Sequence, residues 1–331
     1  MIKLYSNYFG GSTDITMFCK SIQWSGDKFQ AARKIDVTLA YAIFDKNQPK
    51  TQIGPGTMVW LVDDVEGEIF RGIVFNRSLS SSQELKFTAY DFLIYLLKSK
   101  ASYNFSNTTA EAIAAKVCEE VNVAVGALAS TGVTFSLLVQ NKALYEIIME
   151  GYTYASKTTG KQYIPTMTGT KLNVIERGKN VIDYTLNPDI NLIGSEYSDN
   201  IDNMVNKVKI YGEKSVFTGQ VVENTGWQKS FGILQDTYTV QKDKDSAVEA
   251  NLMLKGIEQQ VSVDALGNLK VVTGNSVKTK IFYVSVLQDS VWYVDSDTHT
   301  WEIATGKHTM QLSLNFANVM DAKEGEVNKK E

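Results

Sequence analysis

The sequence predicts an α+β protein, mainly β, in which two strand-rich units flank a smaller mixed module. Three observations carry that reading. Ile35, Val37, Leu39 and Tyr41 alternate with Asp36, Thr38 and Ala40, a period of two. The period becomes helical in the middle of the chain, at Ala110, Ile113, Ala114, Val117 and Val121. It returns to two near the end, where Met310, Leu312, Leu314 and Phe316 alternate with Gln311, Ser313 and Asn315.

Taken in order, residues 57–62 (TMVWLV) follow the turn Gly54-Pro55-Gly56. Residues 68–78 pair with them across the acidic turn Asp63-Asp64-Val65-Glu66-Gly67, and residues 83–91 alternate again. Several short strands between turn signals suggest a barrel or sandwich. Residues 91–100 form a short apolar helix or a helical exit from the sheet. Thr108 and Glu111 make a capping box before the helix that follows. A second helix starts near Lys142 and stops at Gly160, and residues 161–167 and 170–177 form a hairpin. Further on, 206–214 and 214–223 read as strands and 245–258 as a helix. Residues 267–275, 278–286, 290–303 and 307–316 read as strands. The division expected is 1–99, 100–200 and 201–322. The charged tail 323–331 is expected to be frayed.

The composition limits the chemistry. At about 100–200 residues per domain, 331 residues make two or three compact units. Lys plus Arg total 33 against 37 for Asp plus Glu, a net charge of −4, which argues against a mainly electrostatic nucleic-acid binder. No secretory signal and no apolar run of membrane-spanning length is visible. The aromatic-rich, proline-poor composition favours strands, and Trp24, Trp60, Trp227, Trp292 and Trp301 read as core or subunit contacts. Cys19 and Cys118 are far apart and outside any CxxC pair, so they read as buried reduced thiols.

Candidate sites are few. Asp295, Asp297, His299 and Trp301 share one strand face. Asp297 and His299 could meet His308 from the next strand around a metal, although a metal needs three or four convergent ligands and a second shell. Hydrogen-bonded or exposed histidines on a hairpin are the simpler reading. No nucleophile lies in a GxSxG or comparable setting. Glu119 and Glu120 are adjacent and diverge on a helix, and Asp63, Asp64, Glu66 and Glu68 cluster on a solvated turn, although paired carboxylates for glycoside hydrolysis need no local motif. Gly10-Gly11-Ser12 and Gly54-Pro55-Gly56 lack the lysine and the strand-to-helix setting of a phosphate cradle. No catalytic, cofactor or metal residue is therefore assigned.

An ordered series of segments adds a resemblance. SIQWSGDKFQAARKIDVTL, GEIFRGIVF and FTAYDFLIYLLKSK come first. FSNTTAEAIAAKVCEEVNV, SLLVQNKALYEIIMEGYTYASKTTGKQYI and IDNMVNKVKIYG follow, and VDSDTHTWEIATGKHTMQLSLNF closes the series. In this order they resemble the XkdQ/YqbQ-like hub family of PBSX-type prophages and phage-tail-like bacteriocins, which is related in architecture to the trimeric baseplate hubs of contractile tails. The likeness covers nearly the whole chain and rests on no single motif. It implies two tube-type, barrel-like β domains around α/β elements and a homotrimer with pseudo-sixfold symmetry. A hexameric tail tube would sit above a central channel, a trimeric spike below it, and a tape measure would pass through. It implies no enzyme, no cofactor, no sequence-specific nucleic acid and no membrane insertion. Assembly in the bacterial cytoplasm and a final place in the virion baseplate follow. No wall-hydrolase domain is expected after the last hairpin. A cell-wall-degrading hydrolase and a carbohydrate-binding module of a tail tip are the alternatives.

Overall fold

The computed structural model describes residues 1–7, 11–44, 47, 52–241, 245–324 and 326–327. Gly10 of one expected turn, and residues 325 and 328–331 of the expected frayed tail, lie outside them. The chain opens with β1 (Ile2–Ser6), β2 (Thr13–Asp14), the hairpin β3 (Cys19–Asp27) and β4 (Gln30–Ala40), then β5 (Met58–Asp63), β6 (Gly67–Ser80) and β7 (Glu84–Tyr90). The mixed module contains α1 (Leu93–Lys98), β8 (Lys100–Thr108), α2 (Ala110–Glu120), β9 (Ala124–Leu128), β10 (Phe135–Ala143), α3 (Leu144–Thr159), β11 (Tyr163–Thr168) and β12 (Lys171–Glu176). Next come β13 (Val181–Leu186), β14 (Leu192–Asn200), β15 (Lys207–Tyr211), β16 (Phe217–Glu223), α4 (Thr225–Phe231), β17 (Gln235–Thr239) and α5 (Ser246–Leu252). The chain finishes with β18 (Glu258–Leu266), β19 (Ser276–Thr279), β20 (Ser290–Glu302), β21 (Lys307–Asn315) and β22 (Glu326–Val327).

Local chemistry explains the main boundaries. Thr109 caps α2 by accepting from the Ala112 amide at 3.3 Å, and Gly160 ends α3 in the left-handed region at φ 71°. α4 was not legible from apolar spacing; Asn224 starts it by accepting from the Trp227 amide at 3.0 Å.

One thirteen-stranded sheet runs β14-β18-β21-β20-β3-β4-β7-β6-β5-β1-β2, with β19 pairing to β20 and β13 pairing to β19. The path ends at β14 and β2, so the expected barrel is not closed. β20 lies antiparallel to β3, with His299 opposite Trp24 and Trp301 opposite Ile22. The last hairpin is thus built onto the first. Two compact units result, one of Met1–Ser195 with Ser262–Glu331 and one of Glu196–Val261. This division differs from the expected 1–99, 100–200 and 201–322, because non-local strand pairing outweighs proximity in sequence.

Of the expected strands, 267–275 does not form and 278–286 survives only at its start, in β19. Residues 267–275 fold as turns, closed by the Val271 amide to Asn268 O at 3.0 Å and the Asn275 amide to Val272 O at 3.1 Å. Their apolar content fills the core, where Val271 is fully buried, rather than extending a ladder. Residues 281–287 close on themselves through the Ile281 amide to Leu287 O at 3.1 Å.

Two buried clusters described in the larger unit bear on its sheet and helices. Leu4, Ile22, Ile35, Val37, Leu39, Leu61 and Phe87 line one face of the sheet. α1, α2 and α3 bury Leu93, Ile113, Val117, Ile147, Ile148 and Tyr152 against the β10 residues Leu137 and Val139. The smaller unit, with the sheet β16-β15-β17, rests on Val208, Ile210, Tyr238 and Ala250.

After β21 the chain forms a strap instead of fraying at once. Asn318 exchanges hydrogen bonds with Arg177, at 2.7 and 2.9 Å, and the Met320 side chain is buried in the α-helical core. Asp321 accepts from Tyr145 OH at 3.0 Å, the Lys323 amide donates to Thr153 Oγ1 at 3.0 Å, and Glu324 pairs with Lys157 at 3.1 Å. β22 then adds to β10, with Leu137 opposite Val327 and Leu138 opposite Glu326.

Candidate functional site

The sheet has two unlike faces over six adjacent strands. Residues that point away from the apolar core are Thr309, Gln311 and Ser313 on β21, Ser296, Thr298 and Thr300 on β20, and Ser21, Gln23 and Ser25 on β3. Lys34, Asp36 and Thr38 on β4, Lys86 and Thr88 on β7, and Asn76 and Ser78 on β6 continue the set. Register makes these one surface: Gln311 faces Thr298, Thr298 faces Ser25, Gln23 faces Asp36, Asp36 faces Thr88 and Thr88 faces Asn76. Hydroxyl and amide groups dominate it. The charges pair within it, Lys34 with Asp36 at 2.9 Å and Lys86 with Glu84 at 3.4 Å, and Thr88 also donates to Asp36. An open groove of about 410 Å³ lies over Ser21, Gln23, Asp36, Thr38, Asn76 and Thr88.

The opposite face of the same strands carries buried polar groups. Asp297 on β20 is enclosed and takes two hydrogen bonds from the Arg33 guanidinium, one of them at 2.9 Å, and two from Thr273, at 2.7 and 2.6 Å. Burial pushes the Asp297 carboxyl up, but Arg33 and Thr273 outweigh it and hold the group below its ordinary range. The Arg33 guanidinium also lies 4.1 Å from the Trp24 ring centre. Nearby, Asp295 joins Lys28 to the fully buried Arg177. Thus the first hairpin, the turn at 273, the link after β12 and the last hairpin share one ionic seam.

His299 and His308 do meet, at 3.1 Å between Nδ1 and Nε2. His299 Nε2 lies 3.1 Å from Val271 O, which can only accept, so that nitrogen carries the proton. His299 Nδ1 then accepts from His308 Nε2–H. Both rings are held neutral: burial lowers His299, and burial with the neighbouring His299 lowers His308 to about 4. Asp297 is 3.6 Å from His299, but its oxygens already serve Arg33 and Thr273. The three residues considered as metal ligands therefore lie close together, but both His299 nitrogens are hydrogen-bonded, to His308 and Val271, and Asp297 serves Arg33 and Thr273. Among the described residues no group of three or more His, Cys, Asp or Glu side chains has a metal-holding arrangement.

The carboxylates considered for catalysis are scattered. Glu119 pairs with Lys116 at 2.7 Å and Glu120 accepts from Tyr103 OH at 2.7 Å. On the β5–β6 turn, Asp64 meets the Met1 amino group at 3.2 Å, Glu66 meets Lys270 at 3.3 Å and Glu68 meets Arg71. Cys19 and Cys118 are buried, and burial pushes their thiols up to about 12 and about 11, which keeps them protonated. Among the described residues no helix is long and apolar enough to cross a membrane. Sequence reading missed Arg33 and Arg177, whose carboxylate partners lie 264 and 118 residues away, and Thr273, which was read as part of a strand rather than as a turn folded against Asp297.

Comparison with known proteins agrees with this architecture. The chain is 28% identical over 320 residues to the phage-like element PBSX protein XkdQ of Bacillus subtilis (strain 168), covering 92% of this chain and 95% of that protein. Its fold is similar to the 43 kDa tail protein of prophage MuSo2 from Shewanella oneidensis, with a TM-score of 0.71 at 13% identity, over 95% of this chain and 98% of the other. It is similar also to a tail protein from Neisseria meningitidis MC58, with a TM-score of 0.68 at 14% identity, over 95% and 96% of the two chains. The mainly β fold is thus that of prophage tail proteins. The YQBQ-like family model matches residues 22–315, and the chain belongs to the YQBQ-like family.

Proposed function

We propose that the protein is a structural hub of a contractile tail baseplate, joining the tail tube to the central spike as a homotrimer around a channel. The observation that carries this reading is the continuous polar face on β21, β20, β3, β4, β7 and β6. Such a face suits a channel wall. Hydroxyl and amide groups keep it wet, and charges paired within it present no free cation row to phosphates. A passing polymer meets neither apolar patches nor a counter-charge that would hold it. The ionic seam on the reverse of these strands stiffens the wall. The role is assembly rather than catalysis, with tube, spike and tape-measure proteins as partners, in the virion after assembly in the host cytoplasm. The tail-protein names of its relatives support the same reading.

The test is electron microscopy of particles made with a tagged hub. A three-copy ring around a hole at the tail end is expected. Placing lysines on the face (Gln23→Lys, Thr88→Lys and Thr300→Lys together) should leave particles assembled but slow the release of their contents. One copy per particle, or peptidoglycan breakdown by the purified chain, would overturn the proposal.

A further inference from the structure

Around Asp295 the ionic seam brings together an amine, a carboxamide and a carboxylate. Lys28 lies in the turn between β3 and β4 and is only 7% exposed. Its Nζ donates to Asp295 Oδ2 at 2.5 Å. Asn315, the last residue of β21, donates its side-chain amide to the same oxygen at 3.2 Å. One carboxylate oxygen thus touches both the amine and the carboxamide. The Asn315 carbonyl oxygen accepts from the Ala317 amide at 2.9 Å, so a donor already sits where negative charge would develop on attack at Asn315 Cγ. The backbone fixes the lysine against its partner, since the Lys28 amide donates to Asp295 O at 2.9 Å. Lys28 and the fully buried Arg177 share Asp295, two cations for one carboxylate. Turning the ammonium into an amide removes one buried charge and leaves Asp295 to Arg177 alone.

We propose that Lys28 and Asn315 join in a spontaneous isopeptide bond, with Asp295 moving the protons. Asp295 takes a proton from the Lys28 ammonium. The freed Nζ lone pair attacks Asn315 Cγ, and the oxyanion forms against the Ala317 N–H. The Cγ–Nδ2 bond then breaks as the Cγ–Nζ bond becomes an amide. Of the three ammonium protons, one stays on the amide nitrogen and two pass through Asp295 to Nδ2, which leaves as ammonium. Asp295 ends ionised, as it began, and nothing is oxidised or reduced. The bond ties the first hairpin to the last covalently, at the seam where β3 meets β20. It goes beyond the hub reading and does not depend on it, because the reaction needs one chain only.

Mass spectrometry of a tryptic digest of the purified, folded protein tests the link. The expected product is residues 21–33 joined to residues 308–323, lighter than their sum by one ammonia, with Lys28 uncleaved. Lys28→Arg keeps a cation beside Asp295 but has no amine to react, so the joined peptide should vanish. Asp295→Asn, taken as folded protein, should reduce it at least tenfold; an unchanged yield would overturn the role given to Asp295. The wild-type digest decides the link by itself, so a variant that fails to fold leaves the test intact. Residues 21–28 and 308–323 released separately at their full masses overturn the proposal. So does loss of ammonia from 308–323 alone, which marks a succinimide at Asn315 instead.

Discussion

Asp297 shows how a single side chain ties distant parts of the chain together. It is enclosed, and its partners Arg33 and Thr273 come from the first hairpin and from the turn before β19. Asp297→Ala would strand the Arg33 guanidinium beside the core, so a loss of about 3–5 kcal/mol is expected in urea unfolding. A loss below about 1 kcal/mol would mean that Arg33 finds other partners. His308 makes a separate, pH-dependent contribution. Burial and His299 lower it to about 4 in the folded state, from an ordinary value of 6.5. The unfolded chain therefore binds more protons between these values, and stability falls as pH drops from about 6.5 to about 4. Relative to His308→Gln, the natural protein should lose stability over that window, and denaturant unfolding at pH 7, 5.5 and 4 measures the difference. An equal loss in both proteins would dispose of this explanation. That Asp297, His299 and Trp301 share one side of β20 was legible, because alternation alone assigns them to a face; that this side is the buried one was not. Their partners were not legible, since no local pattern reports which strand lies beside β20.

At the scale of elements, the stop at Gly160 proved readable, the cap of α2 fell at Thr109 rather than at the expected Thr108, and strand pairings were not readable. Gly160 ends α3 as its sequence signal indicates, and β4 alternates as expected. Residues 267–275 have a strand-like composition, yet they serve as a plug, because Val271 and Thr273 are used against His299 and Asp297. Gly178 is a second such point. Its φ is +75°, and a Cβ there would lie 2.3 Å from the Tyr293 ring. Gly178→Ala should cost more than the roughly 1 kcal/mol of left-handed strain, because the ring of Tyr293 must also move. A cost at or below that level, by thermal melting, would show that the ring has room. Residues 323–331 were expected to fray, since a charged segment with few apolar groups carries no periodic signal, and nothing in the sequence marked the strap that precedes and enters that segment. Met320 is its anchor, 4% exposed. Met320→Ala is expected to cost about 2–5 kcal/mol, and proteolysis should then reach residues 318–327 first. Unchanged protease resistance would argue against the anchor.

At the scale of the whole molecule, the two units differ in how they are held. The smaller has a described core cluster of four buried residues, Val208, Ile210, Tyr238 and Ala250. The Leu266 amide donates to Asn191 O at 2.8 Å, so β14 and β18 run side by side at the point where the chain departs. Replacing residues 196–261 with Asn-Gly between Ser195 and Ser262 should therefore leave the larger unit folded. Near-ultraviolet circular dichroism should keep the tryptophan signals of Trp24, Trp292 and Trp301, and their loss would show that the larger unit depends on the smaller. The family resemblance anticipated a mainly β tail protein, but not that the last hairpin would be laid against the first. That arrangement has a consequence during synthesis. Lys28 and Asp295, partners in the seam, are 267 residues apart. At about 5–20 residues per second, the ribosome needs very roughly 13–55 s to deliver the second after the first. Throughout that interval β3 has an unpaired edge and Arg33 lacks its carboxylate. Nascent chains on one messenger would expose the same bare edge side by side, so the sheet's last-made strands also act as its protection against neighbours still being translated.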